Sequence, residues 1–137
     1  SQCIVVSIDV KMVGGFSLVM ADGGRRATKL SPTDWARTAQ DAGAGEIFLN
    51  SVDRDGAKTG YDLDLVTRVV KAVTIPVIAC GGAGEWRHFG EALAQTGADA
   101  VAAANIFHYV DQSVYLAKKY LFDHKFDVRN PDLLVLR

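Results

Sequence analysis

Four strand-like segments recur along this chain, and helix-like segments separate them. They centre near Ile8, Phe48, Ile78 and Val101, a spacing of about thirty residues that is typical of one βα unit. A complete (β/α)8 barrel needs about 250 residues, whereas this chain has 137. The spacing and the length together predict an α/β fold that is half of a (β/α)8 TIM barrel. Such a half-barrel is either part of a larger protein or a unit that pairs to close.

Local signals delimit four parallel βα units. Ser31 and Asp62 stand where helix N-caps are expected, just before runs of apolar residues at helical spacing. Residues 13–20 contain a pair of glycines with apolar residues on both sides, so we predict a small hairpin inserted after the first strand. The last helix is expected over about residues 112–125.

The chain is predicted to form one half-barrel domain over residues 1–126, followed by a C-terminal tail over 127–137. Hydrophobic residues make up 49% and charged residues 23%, as in ordinary globular proteins. The net charge of −1 and the dispersed basic residues argue against nucleic acid, and the apolar runs are too short for a membrane helix. Cys3 and Cys80 have no metal-site spacing, so we expect a reduced cytoplasmic protein. We also expect no metal and no cofactor.

The first strand ends on a carboxylate, Asp9. Strand alternation puts Ser7 and Asp9 on one face and the bulkier Ile4, Val6 and Ile8 on the other. The bulky set should meet the helices, so Asp9 should point into the barrel at its C-terminal end, where barrel enzymes keep their catalytic groups. Asp9 could instead only cap a backbone turn. Because the neighbouring strand ends carry matching site features, we predict that Asp9 is catalytic.

The loops after the third and fourth strands have the features of a phosphate site. Gly81 and Gly82 let the backbone approach an anion closely, and Asn105 can donate from its side chain. Barrel enzymes often bind phosphate with the loops after their last two strands, which these would be in a C-terminal half. A glycine pair can also be only a tight turn, and Asp55-Gly56 can be only a solvated turn. We predict that Asp55 and Gly56 contribute to anion or hydroxyl binding.

Glu46 and Asn50 share a face at opposite ends of the second strand. Asn50 belongs to the rim that carries Asp9. Glu46 lies at the other mouth, where a buried carboxylate would need a partner. No partner is identifiable in this half, and the residues alone favour a solvated carboxylate.

Five motifs, in order, resemble the C-terminal half of the cyclase subunit of imidazole glycerol phosphate synthase. They are Val6-Ser7-Ile8-Asp9-Val10, Gly43-Ala44-Gly45-Glu46-Ile47, Asn50-Ser51-Val52-Asp53-Arg54-Asp55-Gly56, Gly60-Tyr61-Asp62 and Cys80-Gly81-Gly82-Ala83-Gly84. The resemblance implies an eight-stranded barrel in histidine biosynthesis. Such a barrel uses ammonia from a separate glutaminase subunit to convert a phosphoribulosyl-formimino aminoimidazole carboxamide ribotide into imidazole glycerol phosphate and aminoimidazole carboxamide ribotide.

The resemblance also implies roles for individual residues. Asp9 matches one of two catalytic aspartates, and the other belongs to the N-terminal half. Glu46 matches a carboxylate in the charged gate where ammonia enters, which reverses the interpretation from the residues alone. The positions for substrate and phosphate are Asn50, Asp55, Gly56, Gly81, Gly82 and Asn105. Asn105 stands where a serine is common.

Other functions stay open at this point. Lys29, Pro32 and Asn50-Ser51 are also similar to a paralogous group that supplies ammonia for acetamidino modification of sugars. A non-catalytic half-barrel that binds phosphate and self-associates is the alternative of another class. The expected partners are the phosphorylated ribotide, a glutaminase subunit, and an N-terminal half-barrel or a second copy in a homodimer. We expect the isolated chain to be inactive.

Overall fold

The computed structural model describes residues 2–108 and 113–134. One sheet of six strands runs through this part of the chain. Its strands are β1 (Val5–Val13), β2 (Phe16–Ala21), β3 (Arg26–Ala27), β4 (Glu46–Ser51), β5 (Val77–Cys80) and β6 (Ala100–Ala102). The strand order is β3-β2-β1-β4-β5-β6, and neighbouring strands among β1, β4, β5 and β6 pair in parallel. The predicted half of a TIM barrel is therefore confirmed.

A helix follows each of the four parallel strands. The helices are α1 (Pro32–Asp41), α2 (Leu63–Ala72), α3 (Trp86–Thr96) and α4 (Val114–Asp123). The expected caps are present at α1 and α2. Ser31 Oγ accepts from the N–H of Asp34 at 3.2 Å, and Asp62 Oδ1 accepts from the N–H of Leu65 at 3.0 Å. These side chains satisfy helix N–H groups that have no partner inside the helix, and they fix where each loop ends.

The cap at Asp62 gives a first testable prediction. Asp62→Ala should lower the free energy of unfolding by about 1 kcal/mol, because the N–H of Leu65 loses its acceptor. Asp62→Asn keeps an acceptor oxygen at the same place and should stay within a few tenths of a kcal/mol of wild type. Urea denaturation followed by circular dichroism measures both. Equal stability of the alanine and asparagine variants would contradict the assigned cap.

The two faces of the parallel sheet differ in exposure. The helices cover the face that carries the aliphatic core, formed by Ile8, Val10, Ile47, Leu49, Val77 and Ala79, all at most 2% exposed. On the other face, paired residues form rows across the strands. One row joins Asp9, Asn50, Cys80 and Ala102, and the next joins Ser7, Phe48, Ile78 and Ala100. None of these eight residues is buried, so this face is the open interior side of the half-barrel.

The hairpin differs from the expectation in its extent. The predicted hairpin is present after the first strand, but it begins earlier than expected, because β1 continues to Val13 and its last five residues pair with β2 in antiparallel register. The turn is Gly14-Gly15, with φ of +57° and +84°. Two positive φ values are what a tight hairpin turn requires, and nothing before the glycines interrupts the strand. A single long strand therefore serves both the barrel and the hairpin.

The C-terminal region is only partly described. α4 begins at Val114 with Ser113 as its N-cap, and the predicted start at Gln112 lies outside the described residues. A short 3-10 helix spans Pro131–Leu134, and Tyr115 on α4 donates to Asp132 at 2.6 Å. The described part of the tail thus packs on α4. A boundary between half-barrel and tail at residue 126 stays a prediction.

Candidate functional site

Three loops meet beyond the carboxyl ends of β4, β5 and β6. They line a small depression whose enclosed part is about 10 Å³, close to the space of one water molecule. A phosphate group would therefore rest at its mouth rather than inside it. The lining residues are Asp55, Gly56, Cys80, Gly81, Gly82, Ala83, Ala103, Ala104 and Asn105. The residues predicted to bind phosphate are thus brought together.

Glycine contacts hold two of these loops against each other. The N–H of Gly60 donates to the carbonyl oxygen of Gly82 at 2.8 Å. A Cβ at Gly82 would overlap that same residue, Gly60, and the φ of Gly82 is +109°. The loop after β4 therefore sits directly on the loop after β5, which explains why the chain needs glycine at position 82.

Backbone N–H groups are the available donors around the depression. Among the residues that the structure describes, the N–H groups of Gly56, Gly82 and Ala83 donate no hydrogen bond. The side-chain nitrogen of Asn105 lies beside Gly56, at 3.8 Å from a Cβ built there. The side chain of Asp55 is a carboxylate, and its N–H already donates to the carbonyl oxygen of Ser51. Asp55 therefore has no hydrogen-bond donor to offer an anion. Clustered N–H groups of this kind form an anion-binding concavity.

Asp9 and Asn50 lie next to each other at the same end of the sheet. Asn50 Nδ2 donates to Asp9 Oδ1 at 3.0 Å. The Asn50 Oδ1 atom is buried and packs toward Gly81, where a Cβ would stand 3.0 Å away. Both side chains are half-buried. The amide thus orients one oxygen of the carboxylate and leaves the other able to exchange a proton with a ligand.

Cys80 connects Asp9 with the depression. It is in the same row as Asp9 and Asn50, and it also lines the depression. Burial raises the pKa of the Cys80 thiol, and the negative charges of Asp55 and Asp9 raise this pKa further. The hydrogen bond from the N–H of Gly81 lowers the pKa but does not cancel these effects. The thiol is therefore protonated at neutral pH, which disfavours a nucleophilic role.

The raised pKa of Cys80 predicts slow alkylation. A raised pKa lowers the thiolate fraction, so at pH 8 iodoacetamide should modify Cys80 about tenfold or more slowly than the exposed Cys3. Asp55→Asn removes a negative charge that raises the pKa and should speed the modification of Cys80 alone. Peptide mass spectrometry over time measures both rates. Equal rates for the two thiols in wild type would contradict the assigned environment.

Glu46 lies at the opposite mouth of the half-barrel. It begins β4, pairs in register with Val5 and is half-buried on the interior face. Within residues 2–108 and 113–134 its carboxylate makes no ion pair.

Two residues of the site region were not predicted from the sequence. Tyr61 donates its hydroxyl to the carbonyl oxygen of Ala102 at 2.8 Å, and burial raises its pKa well above the ordinary value. It ties the loop after β4 to β6. His88 is 3% exposed and contacts the loop after β5. Its place in the first turn of α3, directly after the glycine loop, was the available signal.

Comparison with known proteins identifies the family. The sequence profile of a family described as "Histidine biosynthesis protein" matches residues 1–113. The chain belongs to this family. None of the helices in the described part is long and apolar enough to cross a membrane.

Several similar proteins are named "Imidazole glycerol phosphate synthase subunit HisF". The protein from Clostridium botulinum (strain Okra / Type B1) is 48% identical over 132 residues, which cover 94% of this chain and 52% of the relative. The protein from Pyrobaculum aerophilum is 50% identical over 129 residues, covering 94% and 51%. The protein from Chlorobium phaeobacteroides is 46% identical over 129 residues, again covering 94% and 51%. The chain thus spans about half the length of the curated relatives it matches.

Proposed function

We propose that this chain is the C-terminal half of the cyclase subunit of imidazole glycerol phosphate synthase. In a complete barrel it would use ammonia to convert a phosphoribulosyl-formimino aminoimidazole carboxamide ribotide into imidazole glycerol phosphate and aminoimidazole carboxamide ribotide. The names and identities of the relatives support this cyclase over the sugar-modifying paralogue.

One observation carries the proposal. A carboxylate held by an amide and a cluster of backbone donors occupy the same end of one parallel sheet, with Cys80 adjoining both. Barrel enzymes combine a catalytic group and a phosphate site at this end. A phosphate anchored at the glycine loop would hold the rest of a ribotide over the interior face, within reach of the rim residues.

Each rim residue has a role in this proposal. Asp9 is the general acid or base that exchanges protons with the substrate or with the ammonia-derived nitrogen. Asn50 orients Asp9 and contacts the ribotide. Gly56, Gly82 and Ala83 donate to the phosphate through their backbone N–H groups and Asn105 through its side-chain amide, with Gly81 giving room for the approach.

Asp55 has a separate role, because a carboxylate cannot donate to a phosphate. Its exposed side chain would accept from a sugar hydroxyl. Cys80, with a raised pKa, remains a neutral wall of the site.

The opposite mouth would receive ammonia. Glu46 is proposed to belong to a charged gate there, completed by residues from the other half of the barrel. A glutaminase subunit docked below this mouth would supply ammonia through the barrel interior. The carboxylate of Glu46, half-buried and without an ion pair in the described chain, is suited to take such a cationic partner.

Reconstitution tests the proposed function. This chain is mixed with the N-terminal half of the Pyrobaculum aerophilum relative, and turnover of the ribotide is measured with ammonium salts as the nitrogen source. We expect turnover from the mixture and none from either half alone, because the second catalytic aspartate lies in the other half. Phosphate binding without turnover in a folded, closed barrel would favour the non-catalytic alternative.

Self-association of the isolated chain is a further prediction. The interior face exposes Val5 at 51% and leaves Phe48 half-buried, at a cost of about 1.5–3 kcal/mol per large apolar side chain left in water. Sedimentation should therefore report a homodimer or higher oligomer. Phe48→Asp should shift the chain to a monomer, whereas Lys71→Asp on α2 should not. A wild-type monomer at every concentration would refute the prediction.

A further inference from the structure

We propose that His88 is a positioning residue for the anion site, and that it sets the phosphate affinity of the loop after β5 without touching the phosphate. This inference rests on the proposed phosphate site at Gly82 and Ala83. It identifies a side chain behind that site which the substrate-binding positions do not include.

The contacts of His88 are specific. Its Nδ1 atom accepts from the N–H of Gly84 at 3.1 Å and from the N–H of Glu85 at 3.2 Å. Because Nδ1 accepts both, the ring hydrogen is on Nε2. The ring is 3% exposed, so neither N–H group could find water in its place.

These contacts decide which N–H groups can face a ligand. The N–H groups of Gly84 and Glu85 are held from behind, at the start of α3. Within the loop after β5, before α3 begins, the N–H groups left for an anion are therefore those of Gly82 and Ala83. Fixing the peptide plane before Gly84 also fixes the chain that leads out of Ala83.

The same ring supports the second loop. A Cβ built at Gly60 would lie 3.3 Å from Cδ2 of His88, so the imidazole packs against that glycine. Gly60 in turn donates to the carbonyl oxygen of Gly82. His88 thus contacts both loops that meet at Gly82, the one after β4 and the one after β5. It holds the N–H groups of the anion site in their binding geometry before the anion binds.

Three substitutions separate the acceptor from the volume of the ring. His88→Asn places an amide oxygen where Nδ1 stands and can accept the same N–H groups. His88→Phe keeps the ring volume without an acceptor. His88→Gln moves the acceptor to the position of Nε2. His124→Asn, on the exposed end of α4, is the matched control.

Titration with inorganic phosphate, followed by the amide NMR signals of Gly82 and Ala83 in the full chain, tests the inference. We expect His88→Phe to weaken binding about tenfold. His88→Asn keeps the acceptor but loses the ring's contact with Gly60, so it should weaken binding less than His88→Phe, and His124→Asn should stay within about twofold of wild type. If His88→Phe does not fold, His88→Gln should show the same weakening. Wild-type affinity in a folded His88→Phe or His88→Gln variant would overturn this inference alone. No phosphate response in wild type would overturn the proposed anion site and this inference with it.

Discussion

Asp9→Asn should lower cyclase turnover of a reconstituted barrel by about 100-fold or more. The substitution keeps an oxygen that can accept from Asn50 Nδ2, which is 3.0 Å from Asp9 Oδ1 in this structure. The geometry of the rim is therefore preserved, and what is lost is the carboxyl group that exchanges a proton with the substrate. Steady-state rates with saturating ribotide and ammonium measure the effect.

Two controls make this result specific. Asp41→Asn changes the same side chain at the exposed end of α1, and its turnover should match wild type. Phosphate affinity and unfolding midpoint of Asp9→Asn should also match wild type, because Asp9 does not line the depression. Full turnover in the Asp9→Asn barrel would make Asp9 a structural cap and remove it from the proposed mechanism.

Gly82→Ala should destabilise the chain by about 3 kcal/mol or more and abolish phosphate binding. The new Cβ would meet the backbone carbonyl of Gly60, which cannot rotate aside as a side chain can. A φ of +109° adds strain for any residue with a Cβ. Denaturant unfolding and a phosphate titration measure the two effects.

Gly14→Ala is the matched variant for Gly82→Ala. Its φ of +57° is also positive, yet nothing lies within 4 Å of a Cβ built there. It should lose only about 1 kcal/mol and keep phosphate binding. The difference between the two variants isolates the contact between the loops. Equal losses would mean that backbone strain alone requires glycine at position 82.

The sequence predicted the parallel half-barrel well because its signals are local. Ser31 and Asp62 cap helices where their types and positions indicated, and strand alternation assigned Asp9 and Ile8 to opposite faces correctly. The end of β1 was not predictable in the same way. Its extension to Val13 depends on pairing with β2, and the register of a hairpin is decided by both strands together.

The features of the site also separate into those that local sequence signals predict and those that depend on tertiary packing. Glycines and polar residues at strand ends indicated where a ligand would lie, because parallel strands end at one edge. The sequence could not indicate that His88 Nδ1 faces the N–H groups of Gly84 and Glu85, or that Tyr61 reaches Ala102. Those contacts depend on how α3 and the loops pack in three dimensions, which spacing does not encode.

The most direct test of the central claim follows nitrogen into the product. The chain is combined with the N-terminal half of a relative and supplied with the ribotide and ¹⁵N-ammonium, and the products are analysed by mass spectrometry. The account predicts imidazole glycerol phosphate carrying the heavy nitrogen, unlabelled aminoimidazole carboxamide ribotide, and no product from either half alone. A closed, folded barrel that yields no labelled imidazole glycerol phosphate would contradict it.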